Sequence, residues 1–108
     1  MARLADEFRG QDVVVLDVRP VTQFFDYLVI VTTQSPRQMV ALAEEANREM
    51  KAHGHRRLGI EGIEGSTWVL EDFGDVILHV FHPDTRKFYD LERLWADAER
   101  IDWRKISA

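Results

Sequence analysis

The sequence predicts an α/β (α+β) domain in which helices pack on one mixed β-sheet of about five strands. Stretches rich in β-branched residues predict strands, and other segments carry apolar residues at helical spacing. These segments follow one another in the order helix, two strands, helix, three strands, helix. A length of 108 residues with 45% hydrophobic content is enough for one core. We therefore expect a single domain over residues 1–108.

The first part of the chain predicts one short helix and two strands. Apolar side chains recur at helical spacing over residues 2–9, and Gly10 follows them. Residues 13–18 are valine and leucine apart from Asp17, and residues 26–33 hold four consecutive aliphatic residues between Tyr27 and two threonines; both patterns are typical of strands. Such continuous apolar runs favour burial on both faces of a sheet.

A long helix is predicted from Pro36. Ser35 is placed as its N-cap, proline suits the first helical position, and Gln38 stands where a capping box needs it. Apolar residues then follow at helical spacing as far as Met50, and Gly54 is placed to end the helix in the left-handed conformation. We expect one buried face and one solvated face.

The second half of the chain predicts three strands and two helical segments. Residues 57–63 form a short glycine-punctuated strand, and residues 66–72 and 75–82 form two strong ones. The link Phe73-Gly74 has the glycine that a tight hairpin favours, so the strong strands should pair antiparallel. Residues 83–87 predict a helical turn, and apolar spacing from Asp90 to Ile101 predicts the last helix.

The composition excludes several classes of function. Fourteen basic residues against 19 acidic ones leave a net charge of −5, which argues against sequence-blind binding to phosphate backbones. The absence of cysteine excludes disulfides, iron–sulfur clusters and a thiolate nucleophile. No apolar stretch is long enough to cross a bilayer, and acidic residues near the N-terminus are unlike a secretory signal. We expect a cytoplasmic protein without a membrane partner.

An enzymatic function would rest on two acids, Asp72 and Asp75. Together with the upstream Gly65-Ser66 they suggest a small metal-dependent nucleotidyltransferase or hydrolase. Their spacing argues against this interpretation, because carboxylates reach one ion most simply from positions i and i+2 of a strand, whereas these two bracket a turn. Capping of the hairpin by both acids is the competing interpretation.

The four histidines predict no stronger site. His79 and His82 are three residues apart on a strand, so their side chains should point to opposite faces. His53 and His55 flank a glycine in a polar loop, and no cysteine is present to complete a structural zinc site. We therefore expect no metal, no cofactor and no catalytic residue.

The strand over residues 75–82 carries two apolar rows. Its even-numbered positions from 76 to 80 are aliphatic and belong under the helices. Ile77, His79 and Phe81 form the second row, which is apolar with one polar group. This row is either buried as well or faces outward with Trp68 and Leu70 as an aromatic patch bordered by acids, which is typical of a protein-binding surface.

Four stretches of the chain, taken in order, resemble the ribosomal silencing factor family, which is also called Iojap-like. They are residues 26–30 (DYLVI), 35–38 (SPRQ), 68–82 (WVLEDFGDVILHVFH) and 85–95 (TRKFYDLERLW). The resemblance extends over about residues 12–98. A series of motifs in one order is far more specific than any one of them.

This resemblance implies a nucleotidyltransferase-like fold without the catalytic residues of that fold. It also implies a protein that binds ribosomal protein fourteen of the large subunit and blocks joining of the small subunit, so that translation falls when nutrients are short. No specific nucleic acid and no cofactor are implied, and the choice between a monomer and a homodimer stays open. A protein-binding adaptor of another kind and the small nucleotidyltransferase or hydrolase remain as alternatives.

The second row of the sheet and its rim are the contact surface that the resemblance implies. Their acids would meet basic groups of the ribosomal protein. The candidate contact residues are Trp68, Leu70, Asp72, Ile77, His79, Phe81, Tyr89, Leu91 and Glu92.

Overall fold

The computed structural model describes residues 1–7, 10–65 and 67–105, and its core is one mixed sheet between helices. Residues 8, 9 and 66, which the sequence places in the first helix and a strand, lie outside the described residues. The strands are β1 Gln11–Asp17, β2 Tyr27–Thr32, β3 Gly59–Glu61, β4 Trp68–Asp72, β5 Val76–Phe81 and β6 Glu99–Ile101. The helices are α1 Ala2–Glu7, α2 Pro36–Ala52, α3 Pro83–Tyr89 and α4 Leu91–Leu94, with a 3-10 turn over Trp103–Lys105.

The six strands lie in the order β3-β4-β5-β2-β1-β6. The central neighbours β2 and β5 run parallel, and the other neighbouring strands run antiparallel. The predicted antiparallel pairing of β4 with β5 is therefore confirmed, and so is the mixed sheet. The two edge strands, β3 and β6, have three residues each, and such short edges offer little backbone to a foreign strand.

The two faces of the sheet are covered very differently. Helices α1 and α2 cover one face, which we call the helix face, and bury a core that includes Met39, Leu42, Val69 and Val80. The other face, which we call the second face, is covered by short segments that follow β5 and by the loop between β1 and β2. None of the described helices is long and apolar enough to cross a membrane.

Helix α2 begins and ends as the sequence predicts, with one difference. The Ser35 Oγ accepts a hydrogen bond from the Gln38 backbone N–H at 3.1 Å, but the Gln38 Oε1 accepts from the Gln34 N–H rather than from the cap residue. At the other end Gly54 has a φ of +84°. The N–H groups of Gly54 and His55 then donate to carbonyls of the last turn, which is a Schellman arrangement.

The predicted last helix is wrong beyond its first turn. Helix α4 ends at Leu94, and Glu99–Ile101 forms β6, which pairs antiparallel with β1. The apolar spacing is real, because Leu91, Trp95 and Ala98 all pack on the second face. Pairing with the free edge of β1 overrides helical propensity, and the sheet gains a sixth strand.

The predicted hairpin link is also one residue longer than expected. Three residues, 73 to 75, separate β4 from β5, and Gly74 has a φ of +86°. The Asp72 Oδ1 accepts a hydrogen bond from the Gly74 N–H at 2.8 Å. This carboxylate therefore caps the hairpin turn, as one of the two interpretations of the acids predicts.

Arg86 connects α3 and α4 to the end of the sheet at which β2 and β5 finish and β1 begins. It is 13% exposed and donates to the Asp12 carbonyl at 2.6 Å and to the Thr32 hydroxyl at 2.9 Å. Its Nε and Nη2 atoms both donate to the Glu92 carboxylate, at 3.1 and 2.9 Å. Asp12 itself has a φ of +50° within an irregular part of β1, so the guanidinium holds an unusual backbone conformation in place.

Arg86→Lys should destabilise the protein by about 2–4 kcal/mol, because one ammonium cannot replace four donations in three directions and leaves Glu92 and the Asp12 carbonyl short of partners. Urea unfolding followed by circular dichroism measures this loss. The matched control is Arg93→Lys, an exposed position on α4, which should change the free energy of unfolding by less than about 0.5 kcal/mol. Equal effects of the two substitutions would contradict the role assigned to Arg86.

Candidate protein-binding site

The incomplete cover of the second face leaves a groove of about 580 Å³. Its floor is formed by side chains of β2, β4 and β5, and its walls come from α4, from the residue that follows α4 and from three loops. We call it the sheet groove. Its lining residues are Phe24, Phe25, Leu28, Leu58, Trp68, Leu70, Asp72, Gly74, Ile77, His79, Leu91 and Trp95.

A hydrogen bond between two ring side chains organises the floor of the sheet groove. The Trp68 Nε1–H donates to the His79 Nδ1 at 3.0 Å, across the β4–β5 pair. His79 is 7% exposed, and burial lowers its pKa to about 4. The imidazole is therefore neutral at pH 7 with its proton on Nε2, because Nδ1 acts as the acceptor.

Trp68 is also the centre of an aromatic cluster at one end of the sheet groove. Its ring stacks on Phe81, with centroids 4.9 Å apart, and packs against Tyr89 at 4.7 Å. Phe81 is fully buried, whereas Tyr89 is 51% exposed. Asp90, with a φ of +47°, turns the chain directly after Tyr89, so that α3 ends there and α4 begins. The cluster thus joins the core to the surface.

The opposite end of the sheet groove is walled by residues that the sequence analysis missed. Phe25 packs edge-on against Trp95, with centroids 5.7 Å apart. Phe24 and Leu58 form the rim and are 90% and 67% exposed. The available signal was the adjacent pair of phenylalanines in a loop, because two large apolar residues in a connecting segment need a partner.

The structure brings most of the nine predicted contact residues together. The six that line the sheet groove are Trp68, Leu70, Asp72, Ile77, His79 and Leu91. Tyr89 stands beside Trp68, and Phe81 lies beneath it, where it supports the aromatic cluster but is not accessible. Glu92 lies elsewhere, in the ion pair with Arg86 and 4.0 Å from Arg100.

Neither acid of the enzymatic hypothesis stands in a catalytic arrangement. Asp72 is engaged by the backbone of its own turn, and Asp75 is exposed in the link directly before β5. Local roles also account for two histidines. The His82 Nδ1 accepts a hydrogen bond from the Asp84 N–H as the N-cap of α3, and the His53 Nδ1 lies 2.9 Å from the Glu49 carbonyl. Within the described residues no group of three or more histidines and acids is placed to hold a metal ion.

A buried carboxylate lies on the opposite, helix face of β4. Glu71 is fully buried, and burial raises its pKa to about 7 against the opposing effect of Arg57, whose guanidinium donates to the Glu71 Oε2 at 3.0 Å. Across the described part of the chain the Glu71 Oε1 has no hydrogen-bond partner. The sheet thus buries two titratable groups, a histidine and a glutamate, on its two faces.

These two groups should affect stability in opposite directions as pH changes. The ordinary pKa of His79 is 6.5 and its folded pKa is about 4, so its contribution is lost as pH falls from 6.5 to 4. The ordinary pKa of Glu71 is 4.5 and its folded pKa is about 7, so its contribution is present below 4.5 and is lost as pH rises to 7. Between pH 4.5 and 6.5 the two effects offset each other.

Substitution of either group alone should therefore make the free energy of unfolding depend on pH more strongly than it does in the parent protein, where the two effects offset each other. His79→Asn, which keeps an acceptor near Nδ1, should make the free energy of unfolding fall as pH rises from 4.5 to 6.5, relative to the parent. Glu71→Gln should make it rise over that range, each by at most about 1.4 kcal/mol per pH unit. Urea titrations at several pH values measure both slopes. Slopes equal to that of the parent would contradict the two buried titrations.

Comparison with known proteins agrees with this architecture. The family described as "Ribosomal silencing factor during starvation" matches residues 1–108. The Ribosomal silencing factor RsfS of Bacillus subtilis is 38% identical over 101 residues, which cover 94% of this chain and 86% of that protein. Protein Iojap, chloroplastic, of Arabidopsis thaliana is 29% identical over 102 residues, which cover 94% of this chain and 42% of the longer plant protein.

A solved structure gives the same result for the fold. The crystal structure of a Chromobacterium violaceum protein superposes with a TM-score of 0.83 at 37% identity and covers 87% of this chain and 78% of that one. The six-stranded mixed sheet with its helices is thus an arrangement that a crystallised protein of related sequence shares. Motif order, fold and sequence identity together establish that this chain belongs to the ribosomal silencing factor family.

Proposed function

We propose that this protein binds ribosomal protein fourteen of the large subunit through the sheet groove and sterically blocks joining of the small subunit. Translation would then fall when nutrients are short. Membership of the ribosomal silencing factor family supports the ribosomal role. The sheet groove is the observation that carries the choice of surface, because it joins an apolar floor to exposed aromatic and aliphatic rims.

The chemistry of the sheet groove suits a protein partner better than a small polar substrate. Trp68, Tyr89 and Trp95 give large contact areas, and tryptophan and tyrosine are enriched among the residues that dominate binding energy. The neutral His79 contributes no charge that a partner would have to desolvate at pH 7. Phe24 and Leu58 stand exposed at the rim, where insertion into a partner would remove them from water.

Electrostatic complementarity supports a basic partner. The chain carries a net charge of −5. Asp75 and Asp90 are exposed and follow or precede groove-lining residues directly in the chain, whereas Glu92 and Asp72 are already engaged within the protein. The rim acids, rather than the two predicted from the sequence, therefore meet the basic groups of the ribosomal protein and guide its approach.

Steric blocking requires bulk and no chemical step. The described part of the chain measures 34 × 33 × 27 Å, which is enough to separate two surfaces that must otherwise touch. We accordingly propose that the protein is not an enzyme and that it acts in the cytoplasm, where ribosomal subunits meet. A bound blocker would lower the number of joined ribosomes without altering either subunit.

Sedimentation of purified ribosomal subunits through sucrose gradients tests this proposal. The protein should travel with the large subunit and reduce the fraction of joined particles in proportion to its occupancy. A protein that neither travels with the large subunit nor reduces joining would overturn the proposal. Binding to isolated ribosomal protein fourteen, measured by calorimetry, tests the partner separately.

Leu58→Ser should weaken binding to the large subunit about tenfold, because it removes an exposed aliphatic side chain from the rim of the sheet groove. The matched control is Val40→Ser, which removes an exposed aliphatic side chain from α2, on the other side of the molecule. This control should bind as the parent does. If both variants bind equally well, the sheet groove is not the contact surface.

A further inference from the structure

Positive charge in this acidic chain is concentrated in the segment over residues 51–57. The segment holds Lys51, Arg56 and Arg57, with His53 and His55 between them and no acid. Its formal charge is +3, while the other residues combine eleven basic with nineteen acidic side chains and carry −8. The net charge of the whole chain therefore conceals a local basic surface.

The end of α2 folds this segment into a concave shape. The Schellman turn at Gly54 reverses the chain directly after the last helical turn, so that side chains on both sides of the turn face one space. The result is an open cleft of about 480 Å³, which we call the basic cleft. The residues lining it are Asn47, Lys51, Gly54, Arg56 and Arg57, and none of them is acidic.

Two of the three cations in the basic cleft are available to a ligand. Arg57 is half-buried and bonded to Glu71, with Glu44 at 3.9 Å, so its charge is compensated within the protein. Lys51 and Arg56 are exposed, and within residues 1–7, 10–65 and 67–105 neither forms an ion pair with an acid. Two unpaired cations beside an asparagine amide suit an anionic group with several acceptor oxygens.

The basic cleft also borders the sheet groove. Arg57 is hydrogen-bonded to Glu71 on the helix face of the sheet. The next residue, Leu58, lies at the rim of the sheet groove, and its N–H donates to the Asp72 carbonyl at 2.7 Å. The chain thus passes around the edge of the sheet from one site to the other within two residues. A partner bound in the sheet groove would lie beside whatever occupies the basic cleft.

We propose that the basic cleft binds the phosphate backbone of RNA next to the protein that occupies the sheet groove. This inference rests on the proposed function, which places the chain on a ribosomal subunit. RNA fits better than an acidic protein. A phosphate backbone presents closely spaced anions of one kind, so it can be bound by a few exposed cations without any particular arrangement of side chains. The two exposed cations on this turn are suited to that kind of contact. Contact through backbone phosphates alone carries no sequence specificity. Two cations would add affinity to a complex that is already docked through the sheet groove, but they are too few to make the acidic chain bind RNA broadly.

The test compares two charge reversals in the full chain, Arg56→Glu in the basic cleft and Arg37→Glu at the start of α2. Both positions are exposed, and both substitutions change the net charge by the same amount. Binding is measured to intact large subunits and to isolated ribosomal protein fourteen, each at several salt concentrations. Arg56→Glu should weaken binding to the subunit about tenfold and lower the slope of log affinity against log salt by about 1, while leaving binding to the isolated protein unchanged. Arg37→Glu should leave both affinities unchanged.

Each contrary result has a distinct meaning. If the parent protein binds neither target, the proposed function is overturned, and the RNA contact that rests on it is overturned with it. If the parent binds both and Arg56→Glu weakens neither, or weakens binding to the isolated protein as much as to the subunit, the RNA contact is overturned. Equal weakening of subunit binding by both reversals would attribute the effect to overall charge and would overturn it as well. Lys51→Gln, which keeps a helix-compatible side chain, gives a second reading of the same site and should lower the salt slope in the same direction.

Discussion

The parallel pairing of β2 with β5 is the constraint from which the binding surface follows. Parallel neighbours cannot be joined by a hairpin, and the chain connects β2 to β5 through α2, β3 and β4. Because β3 also runs parallel to β2, α2 must cross from one end of the sheet to the other. This helix has 17 residues and covers the helix face. The second face is left to α3 and α4, with seven and four residues. Six strands span about 24 Å, whereas a helix is about 10 Å wide, so these short pieces leave a groove.

Polar groups are buried on both faces of the sheet, and a different kind of partner stabilises each of them. On the second face, His79 stays neutral and accepts the Trp68 N–H, so the floor of the sheet groove holds a satisfied polar pair without a charge. On the helix face, Glu71 keeps Arg57 beside it and thereby anchors the segment that leads to Leu58. One polar contact shapes the groove floor, and the other fixes its rim.

Sequence patterns predict this fold where local chemistry decides the structure. Ser35 and Pro36 mark the start of α2, and alternation along β4 and β5 places Trp68 and His79 on one face. Patterns fail where distant parts of the chain compete. The last predicted helix becomes β6 because β1 has a free edge.

The candidate site shows the same limit. Glu92 is drawn away by Arg86, and Phe24 reaches the groove only because its loop folds beside Trp95. Arg86 and Glu92 are six residues apart on two different helices, and Phe25 and Trp95 are 70 residues apart, so the periodicity of a single helix or strand could not have placed these side chains. The floor of the sheet groove was predictable because strand alternation defines it, and the rim was not because loops define it.

The sheet can be completed only when β6 has been synthesised, because β6 covers the edge of β1. Residues 99–101 pair with residues 15–17, and the Trp103 indole N–H donates to the Val13 carbonyl at 2.9 Å. Strand β1 precedes β6 by more than eighty residues, so the edge of β1 is synthesised well before its partner. Until then a nascent chain displays an unpaired strand edge, which is prone to wrong pairing. The sheet of this member of the ribosomal silencing factor family thus stays open along β1 until residues 99–101 have been synthesised.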